Sequence, residues 1–273
     1  MPTIAILGKK DTYSEQAASR FIKKQGSDFE KVYYKTTKEV VKSLDEGITY
    51  AVLPFENTLE GYVNQHMDLL IEQDIEIINE VTLDIQFNYV KRVDKPRRVY
   101  VQYVAKNQCL NLIESLNDTE IITTESNSES YEKMLQDEDS ASIIPSHLTV
   151  NNKHWMIKKD ISDTHSNHTR FLILTKRRDN PVYDLYQTLK VTLLINVGKD
   201  KPGLLYEILK EFAKRDMSLI SIMSRPTKNQ IGTYHFFIEL YLTNELKNEL
   251  QKIDEIERLF QLKILGIYKK IEE

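Results

Sequence analysis

The sequence predicts an α/β protein made of two successive domains, and three observations indicate this fold class. Up to about residue 176, short apolar runs alternate with segments of helical periodicity, an order typical of a largely parallel sheet flanked by helices. The polar stretch RRDNPVYDLYQT follows and predicts a linker. From residue 190 onward the predicted order is strand, helix, strand, strand, helix, strand, which is the ferredoxin-like arrangement.

The first domain begins with the apolar run TIAILG, which predicts a buried strand. Helices are predicted at about 13–24, 37–46 and 59–72, the last because its apolar residues recur at i, i+4 and i+7. Further strands are predicted at KVYYKT, TYAVLPF, VYVQYVA, EIITT and SASIIP. The long extended stretch EIINEVTLDIQFNYVKR predicts a crossing between two lobes, and TRFLILTK predicts the closing strand.

The second domain contains four predicted strands, VTLLINV, MSLISIMSRP, GTYHFFIELYL and LKILGIY. The stretch PGLLYEILKEFAKRD predicts its first helix, with proline at the start and apolar residues along one face. The charged amphipathic stretch TNELKNELQKIDEIERLF predicts the second helix. Together these elements complete the ferredoxin-like order.

Composition narrows the class of protein. The 273 residues carry a formal net charge of −4, which offers no positive surface for nucleic acid or an anionic membrane. The single cysteine, Cys109, excludes an internal disulfide and favours a reducing cytoplasm. The first residues lack the pattern of a signal peptide, and no apolar run approaches the roughly 18 residues needed to cross a bilayer.

Three polar clusters at predicted strand ends are candidates for a ligand site. Thr12 with Glu15 matches a capping box, Asn57 with Glu60 suggests a similar helix start, and residues 167–171 precede the closing strand. Ligands of open α/β sheets collect beyond the carboxyl ends of the strands. Helix N-termini there offer unpaired N–H groups and partial positive charge, so the pattern favours an anionic ligand.

Each cluster also has a purely structural interpretation, since capping boxes begin helices with no ligand present. Arg170 suits either a ligand carboxylate or an internal one, and Phe171 suits either the core or a pocket wall. His165 and His168 have zinc-ligand spacing, but they fall in a predicted loop and Cys109 has no second thiol beside it, so no metal site is predicted. Nucleotide-binding glycine motifs and G-x-S-x-G are absent from the sequence.

The polar clusters, taken with their surroundings, resemble a known family. GKKDTYSEQAA, LPFENTLEGYVNQHMDLL and ISDTHSNHTRFLIL are similar to the motifs of prephenate dehydratases, and DKPGLLYEILKEFAKRDMSLISIMSRPTKNQIGTYHFFIEL resembles the ACT regulatory domain that follows in that family. The resemblance covers nearly the whole chain in the family's order. Its most specific element is the Asn-x-Thr-Arg-Phe of residues 167–171, followed by residues 54–58.

The chain departs from the family pattern at several positions. Asp11 replaces the usual glycine, Tyr13 replaces a phenylalanine, and the Ser-His-Pro-Gln stretch before Gln-Cys is missing. In the ACT motifs, Met223 replaces glutamate and Ser218 replaces asparagine. We therefore expect an intact catalytic half and an effector site with altered affinity or selectivity.

The resemblance implies a two-lobed catalytic domain of the solute-binding-protein type, followed by an ACT domain. The catalytic domain would span 1–180, with lobe 1 at about 1–80 and 160–180 and lobe 2 at about 81–159. The ACT domain would span 189–273. Closure of the cleft between the lobes would exclude water from the reaction.

The resemblance also implies the reaction, the conversion of prephenate to phenylpyruvate in L-phenylalanine biosynthesis, without any cofactor. It assigns the proton or hydrogen-bond donor for the leaving hydroxyl to Thr169. The other expected site residues fall into two groups. The catalytic group adds Asn57, Ser14 and Glu56, and the substrate-binding group comprises Thr12, Thr58, Arg170 and Phe171.

Control by L-phenylalanine is implied for the second domain, near Gly203, Leu204, Leu205 and Ser218. ACT domains usually pair, so a homodimer or a homotetramer is expected. Two alternatives stay open at this point. One is the same chemistry on arogenate, and the other is a metabolite sensor that binds a ligand without converting it.

Overall fold

The computed structural model describes most of the chain. The residues described are 1–148, 150, 152, 154–164, 166–178, 189–196, 202–228, 231–242, 246–260 and 262–271. Most of the predicted linker and His165 lie outside the described residues. Within those residues, no helix combines the length and apolar composition that crossing a membrane requires.

The elements of the first domain alternate much as predicted. In chain order they are β1 (Thr3–Leu7), α1 (Tyr13–Gln25), β2 (Glu30–Tyr34), α2 (Thr37–Lys42), β3 (Tyr50–Asn57), β4 (Gly61–Tyr62), α3 (Asn64–Glu72), β5 (Ile75–Asp84), β6 (Phe87–Lys91), β7 (Arg98–Gln102), α4 (Tyr103–Asn107), α5 (Leu110–Ser115), β8 (Glu120–Thr124), α6 (Asn127–Gln136), β9 (Ser140–Pro145), β10 (Met156–Lys158) and β11 (His168–Lys176).

The second domain has the predicted ferredoxin-like order. Its elements are β12 (Leu189–Asn196), α7 (Leu204–Ala213), β13 (Leu219–Pro226), β14 (Tyr234–Leu242), α8 (Leu246–Leu259) and β15 (Leu262–Ile271).

Two sheets organise the described residues. The larger has the order β13-β14-β12-β15-β5-β11-β3-β1-β2, with β4 added on β3, and so continues from the first domain into the second. The smaller, β10-β6-β9-β7-β8, forms the second lobe. Strand β1 runs parallel to β2 and β3, whereas β11 is antiparallel to both β3 and β5, so the first sheet is mixed rather than largely parallel.

Local signals place the first helix where the sequence predicts it. The Thr12 side chain accepts the Glu15 N–H, and the Glu15 carboxylate accepts the Asp11 N–H at 2.6 Å, which satisfies two donors at the start of α1. Gly26 closes the helix in the left-handed conformation, at φ 65°.

Two predicted elements are corrected. The helix predicted from about residue 59 begins only at Asn64, because residues 61–62 pair back onto β3 as β4. The strand predicted at VYVQYVA ends at Gln102, whose side chain accepts the N–H groups of Val104 and Ala105 and so starts a helix instead.

The two faces of β11 belong to different cores. Phe171 and Ile173 pack in a core shared by α1 and the second lobe. Leu172 and Leu174 pack in another core that includes Phe237 of the second domain. Since successive side chains of a strand point to opposite faces, one strand faces the lobe junction on one side and the second domain on the other.

Strand β15 joins the two domains. It pairs antiparallel with β12 and parallel with β5, where Lys269 lies opposite Asn79. The strands approach closely at Gly266, where an added Cβ would lie 2.2 Å from the carbonyl oxygen of Ile77. A residue without a side chain is therefore required at this position.

Candidate active site

Thr169 and Asn57 lie directly opposite each other on β11 and β3. The Asn57 side-chain amide donates to Thr169 Oγ1, with Nδ2 and Oγ1 2.9 Å apart. Its orientation is fixed because the carbonyl oxygen Oδ1 accepts the backbone N–H groups of Leu59 and Glu60, at 2.9 and 3.0 Å. Asn57 therefore forms a tight turn and presents its N–H₂ group to Thr169, and the predicted helix start at this position is wrong.

This contact leaves the Thr169 hydroxyl with a proton to give. Within the described part of the chain, Thr169 Oγ1 takes part in hydrogen bonding only as an acceptor. A hydroxyl that accepts a hydrogen bond is polarised, which strengthens the bond it donates. Thr169 is half-buried, so part of the residue remains exposed.

The loop before β11 is fastened to Thr58. The Thr58 hydroxyl donates to the Ser166 carbonyl at 2.8 Å and accepts the His168 N–H at 3.0 Å. The Thr58 N–H also donates to the His168 carbonyl at 2.9 Å. Its hydroxyl proton is thus already committed, and Thr58 acts on the site by holding this loop beside β3.

Sequence reasoning gave no role to Asn167, although residue 167 belongs to a predicted polar cluster, and it missed Gln108 as a member of the site. The Asn167 amide donates to Gln108 Oε1 at 2.7 Å, and both side chains are buried. Asn167 Oδ1 also accepts a hydrogen bond from Asn57 Nδ2 at 2.8 Å, so a chain of amides links the second lobe to Thr169. One signal for Gln108 was available in the sequence. Gln108-Cys109 is the Gln-Cys that follows the Ser-His-Pro-Gln stretch in the family, and this chain keeps it although that stretch is missing.

Arg170 faces away from Thr169, so the predicted direct contact with substrate conflicts with its position. Its guanidinium lies 2.7 Å from Glu239, 3.1 Å from Glu80 and 2.9 Å from Glu56. Burial, the largest single effect, would lower the pKa of Arg170, but the charge and hydrogen bond of Glu239 together with the other nearby acidic groups raise it. Arg170 therefore pairs with carboxylates of the protein itself, which is the structural interpretation of its sequence position. One of these partners is Glu56, which was predicted to be catalytic.

The other predicted residues lie at the start of α1 and in the core. Thr12 uses its hydroxyl in the helix cap, where it donates to the Lys9 carbonyl at 3.0 Å. Ser14 is buried in the first turn of α1, and Phe171 is only 2% exposed within the core. Within the described residues, no hydrogen bond or ion pair joins these side chains to Thr169.

Tyr13 connects the two lobes. Its hydroxyl donates to the Gln86 carbonyl at 2.6 Å, between β5 and β6, and its ring packs edge-on against Phe87 and His147. Burial raises the pKa of the Tyr13 hydroxyl, which therefore stays protonated. His147 Nε2 lies 3.2 Å from the Asp11 carbonyl oxygen. Both residues line a cleft of about 610 Å³ between the lobes.

Metal ligands are not assembled in the part of the chain that the structure describes. That part contains no group of three or more His, Cys, Asp or Glu side chains placed to hold an ion. His168 instead contacts Asp84, with Nδ1 and Oδ1 2.7 Å apart.

The predicted effector residues lie at the start of α7 and just before β13. Gly203 adopts φ 83° immediately before the helix, Leu204 and Leu205 begin α7, and the exposed Ser218 directly precedes β13. The left-handed conformation at this turn favours glycine.

Strand β13 also contacts the first domain. Arg225 makes two hydrogen bonds to Asp68 of α3, both at 2.8 Å, and the hydroxyls of Tyr62 and Ser221 are 2.6 Å apart. The Arg225 hydrogen bonds lower the pKa of Asp68 despite its partial burial. The strand next to the predicted effector site therefore touches the segment that follows Asn57.

Fold and site together define a class, a two-lobed α/β enzyme joined to a ferredoxin-like C-terminal domain. The sequence model of the prephenate dehydratase family matches residues 4–179, and that of the ACT domain matches residues 191–258. The chain belongs to the prephenate dehydratase family and is a lyase. The predicted family and fold class are confirmed.

Similar proteins agree with this assignment. The prephenate dehydratase of Methanocaldococcus jannaschii is 32% identical over 265 residues, covering 95% of each chain. The bifunctional chorismate mutase/prephenate dehydratase of Aquifex aeolicus is 31% identical, covering 98% of this chain and 73% of the relative. The crystal structure of the prephenate dehydratase from Staphylococcus aureus is 28% identical, with a TM-score of 0.79 and coverage of 98% and 100%.

Proposed function

We propose that this chain converts prephenate to phenylpyruvate and that Thr169 donates to the departing hydroxyl. The observation that carries the proposal is the 2.9 Å contact in which Thr169 accepts from Asn57 and keeps its own proton available. The closest rival substrate, arogenate, differs only by an amino group in place of the keto oxygen, so both compounds belong in the assay.

The chemistry fits a site built on hydrogen bonding. The bond between the ring and its carboxylate breaks, and carbon dioxide leaves. The electron pair released forms a ring double bond, and the ring hydroxyl departs with a proton as water. Formation of the aromatic ring drives the reaction. A threonine hydroxyl is a very weak acid, so Thr169 acts as a positioned donor, polarised by Asn57, rather than as a free acid.

The direct test mixes purified protein with prephenate and follows phenylpyruvate by its absorbance in alkali. Thr169→Ala should lower kcat by about 10² to 10⁴ with a smaller change in KM, because the donor works mainly in the transition state. Thr169→Ser, which keeps the hydroxyl, should retain much more activity.

A matched control lies on the same strand. The Thr175 hydroxyl donates to the Thr49 carbonyl at 2.9 Å. Thr175→Ala therefore also removes a threonine hydrogen bond from β11, but one that does not involve Asn57. Its turnover should stay near wild type. If Thr169→Ala and Thr175→Ala turned over alike, the role given to Thr169 would be wrong.

The proposal includes feedback inhibition by L-phenylalanine, bound in the ACT domain near Gly203, Leu204, Leu205 and Ser218. The ACT match and the contact of Arg225 with α3 support it. A protein of the same fold from Arthrobacter aurescens was crystallised with L-Phe, at 24% identity, a TM-score of 0.82 and coverage of 98% of this chain and 90% of that one.

Binding of L-phenylalanine to the Thr169→Ala variant tests this part, because the slow variant leaves prephenate intact. If the two ligands bind separate, linked sites, the apparent Kd for L-phenylalanine should rise with prephenate concentration and then level off. The total rise should be about 5- to 150-fold. A Kd that rose in proportion to prephenate without limit would place both ligands in one site and contradict the scheme.

A homodimer or homotetramer is part of the same proposal. The outer face of β13 leaves Ile220 and Ile222 more than 40% exposed on an edge strand, which suits pairing with a second copy. Sedimentation at micromolar concentration should give a dimer or a larger species, and a monomer would contradict this expectation.

A further inference from the structure

Four charged side chains are buried together between the two domains. Arg170 and Glu80 come from β11 and β5, and Lys190 and Glu239 come from β12 and β14. None is more than 8% exposed, and two positive charges balance two negative ones. We call this group the buried ion cluster.

Each member of the buried ion cluster has a partner across the domain boundary. Arg170 lies 2.7 Å from Glu239, and Lys190 lies 3.0 Å from Glu80. Arg170 and Glu80 are also 3.1 Å apart, and Lys190 and Glu239 are 3.4 Å apart. Burying an ion is costly because its hydration is lost, and apolar side chains of similar size often stabilise a core equally well. Stability alone therefore does not account for four buried charges.

Glu239 is the most firmly held member. Besides Arg170, its Oε1 accepts from the Thr192 hydroxyl at 3.1 Å, and the Tyr268 hydroxyl lies 3.4 Å away. Thr192 and Tyr268 contact each other at 2.7 Å. Burial, the largest single effect, would raise the pKa of Glu239, but the charge and hydrogen bond of Arg170 together with the charge of Lys190 and the Thr192 hydrogen bond lower it, so Glu239 is ionised at neutral pH. The second domain thus presents a fixed carboxylate to Arg170.

Arg170 in turn adjoins both halves of the candidate site. It follows Thr169 directly, and its guanidinium pairs with Glu56, which directly precedes Asn57. The pairing of β11 with β3 shifts register between Arg170 and Phe171, so the backbone beside Thr169 is irregular there and depends on side-chain contacts.

We propose that Glu239 is a positioning residue for the dehydratase reaction. Acting through Arg170, it holds the ends of β11 and β3 so that Thr169 stays aligned with Asn57. The inference rests on the proposed role of Thr169, and it assigns part of the catalytic geometry to a residue of the ACT domain.

The test uses the full chain carrying Glu239→Gln, which keeps the size of the side chain and removes its charge. Misplacement of a catalytic group by about 1 Å costs up to roughly 100-fold in rate. We expect kcat to fall by about 10- to 100-fold with KM changed less than about twofold.

A double-mutant cycle separates positioning from general damage. If Glu239 acts through Thr169, adding Glu239→Gln to Thr169→Ala should lower kcat little further. The matched control is Glu76→Gln, which removes the charge of another buried carboxylate of β5, paired with Arg178. Glu76 lies at the opposite end of β5 from Leu83, the residue that pairs with Thr169. It should lower the unfolding temperature but leave kcat near wild type.

The outcomes are distinguishable. Wild-type turnover of Thr169→Ala would overturn both the proposed function of that residue and this inference. Two results would overturn this inference alone while Thr169→Ala remains slow. One is a Glu239→Gln variant with wild-type kcat, and the other is a double variant in which the two losses in kcat multiply. If Glu239→Gln does not fold, Thr192→Val replaces it in the same cycle. That change removes one hydrogen bond to Glu239 and should give a smaller, equally non-additive loss.

Discussion

Replacing Gly266 by alanine should separate the two domains along the seam between β15 and β5. The added Cβ would lie 2.2 Å from the Ile77 carbonyl oxygen and 2.7 Å from the Ile77 Cβ, whereas ordinary contact begins near 3.4 Å. The obstructing atoms are backbone and Cβ, which no rotamer change can move, so the strands themselves must shift.

The expected cost follows from overpacking, which typically amounts to about 1–3 kcal/mol. We expect Gly266→Ala to reach the upper end of that range, because the clash is with main chain at a strand crossing. The assay is urea unfolding, supported by thermal unfolding, where each kcal/mol corresponds to about 2–4 °C. Because β15 also carries Tyr268 of the Glu239 environment, kcat should fall as well.

The control is Gly26→Ala. Gly26 has φ 65° and no atom within 4 Å of the added Cβ, so alanine there meets only backbone strain of about 1–2 kcal/mol. If Gly266→Ala unfolded at the same urea concentration as Gly26→Ala, or at a higher one, the close approach of β15 to β5 would be refuted.

Three further changes test other contacts. Tyr13→Phe removes the 2.6 Å hydrogen bond to the Gln86 carbonyl and should cost about 0.5–1.5 kcal/mol in urea unfolding; equal stability would contradict the interlobe contact. Asp68 has a pKa lowered by Arg225, so its stabilising effect is complete above its ordinary pKa near 4 and is lost as the pH falls towards the lowered value. Below about pH 4 the wild type should therefore lose thermal stability more steeply than Asp68→Asn, and parallel curves would refute this ion pair. Asn57→Asp keeps the acceptor of the turn but makes the Thr169 hydroxyl donate to a carboxylate, so kcat should fall by about 10² or more; wild-type turnover would show that the donor is not needed.

Features that depend on neighbouring residues could be predicted from the sequence. The start of α1 follows from Thr12 and Glu15, which satisfy local N–H groups whatever the rest of the chain does. The opposite orientation of Thr169 and Arg170 follows from strand alternation. The same local logic failed at Asn57, because residues 61–62 extend the sheet where a helix was expected.

Features that depend on distant residues could not be predicted. Arg170 meets Glu239 across 69 positions, and Asn167 meets Gln108 across 59. No periodicity or capping rule encodes such pairs, since the fold alone brings them together. The sequence therefore indicated that Arg170 needed a carboxylate, and only the sheet order showed which one.

The position of β15 has a consequence for how the protein is made. This strand follows every other described strand in the chain, yet it lies between β12 and β5 inside the large sheet. Until it emerges from the ribosome, β5 has a bare edge and the apolar face around Leu172 and Leu174 remains uncovered. Pairings between segments so far apart in sequence form slowly. The nascent catalytic domain should therefore depend on chaperone protection until translation has delivered β15.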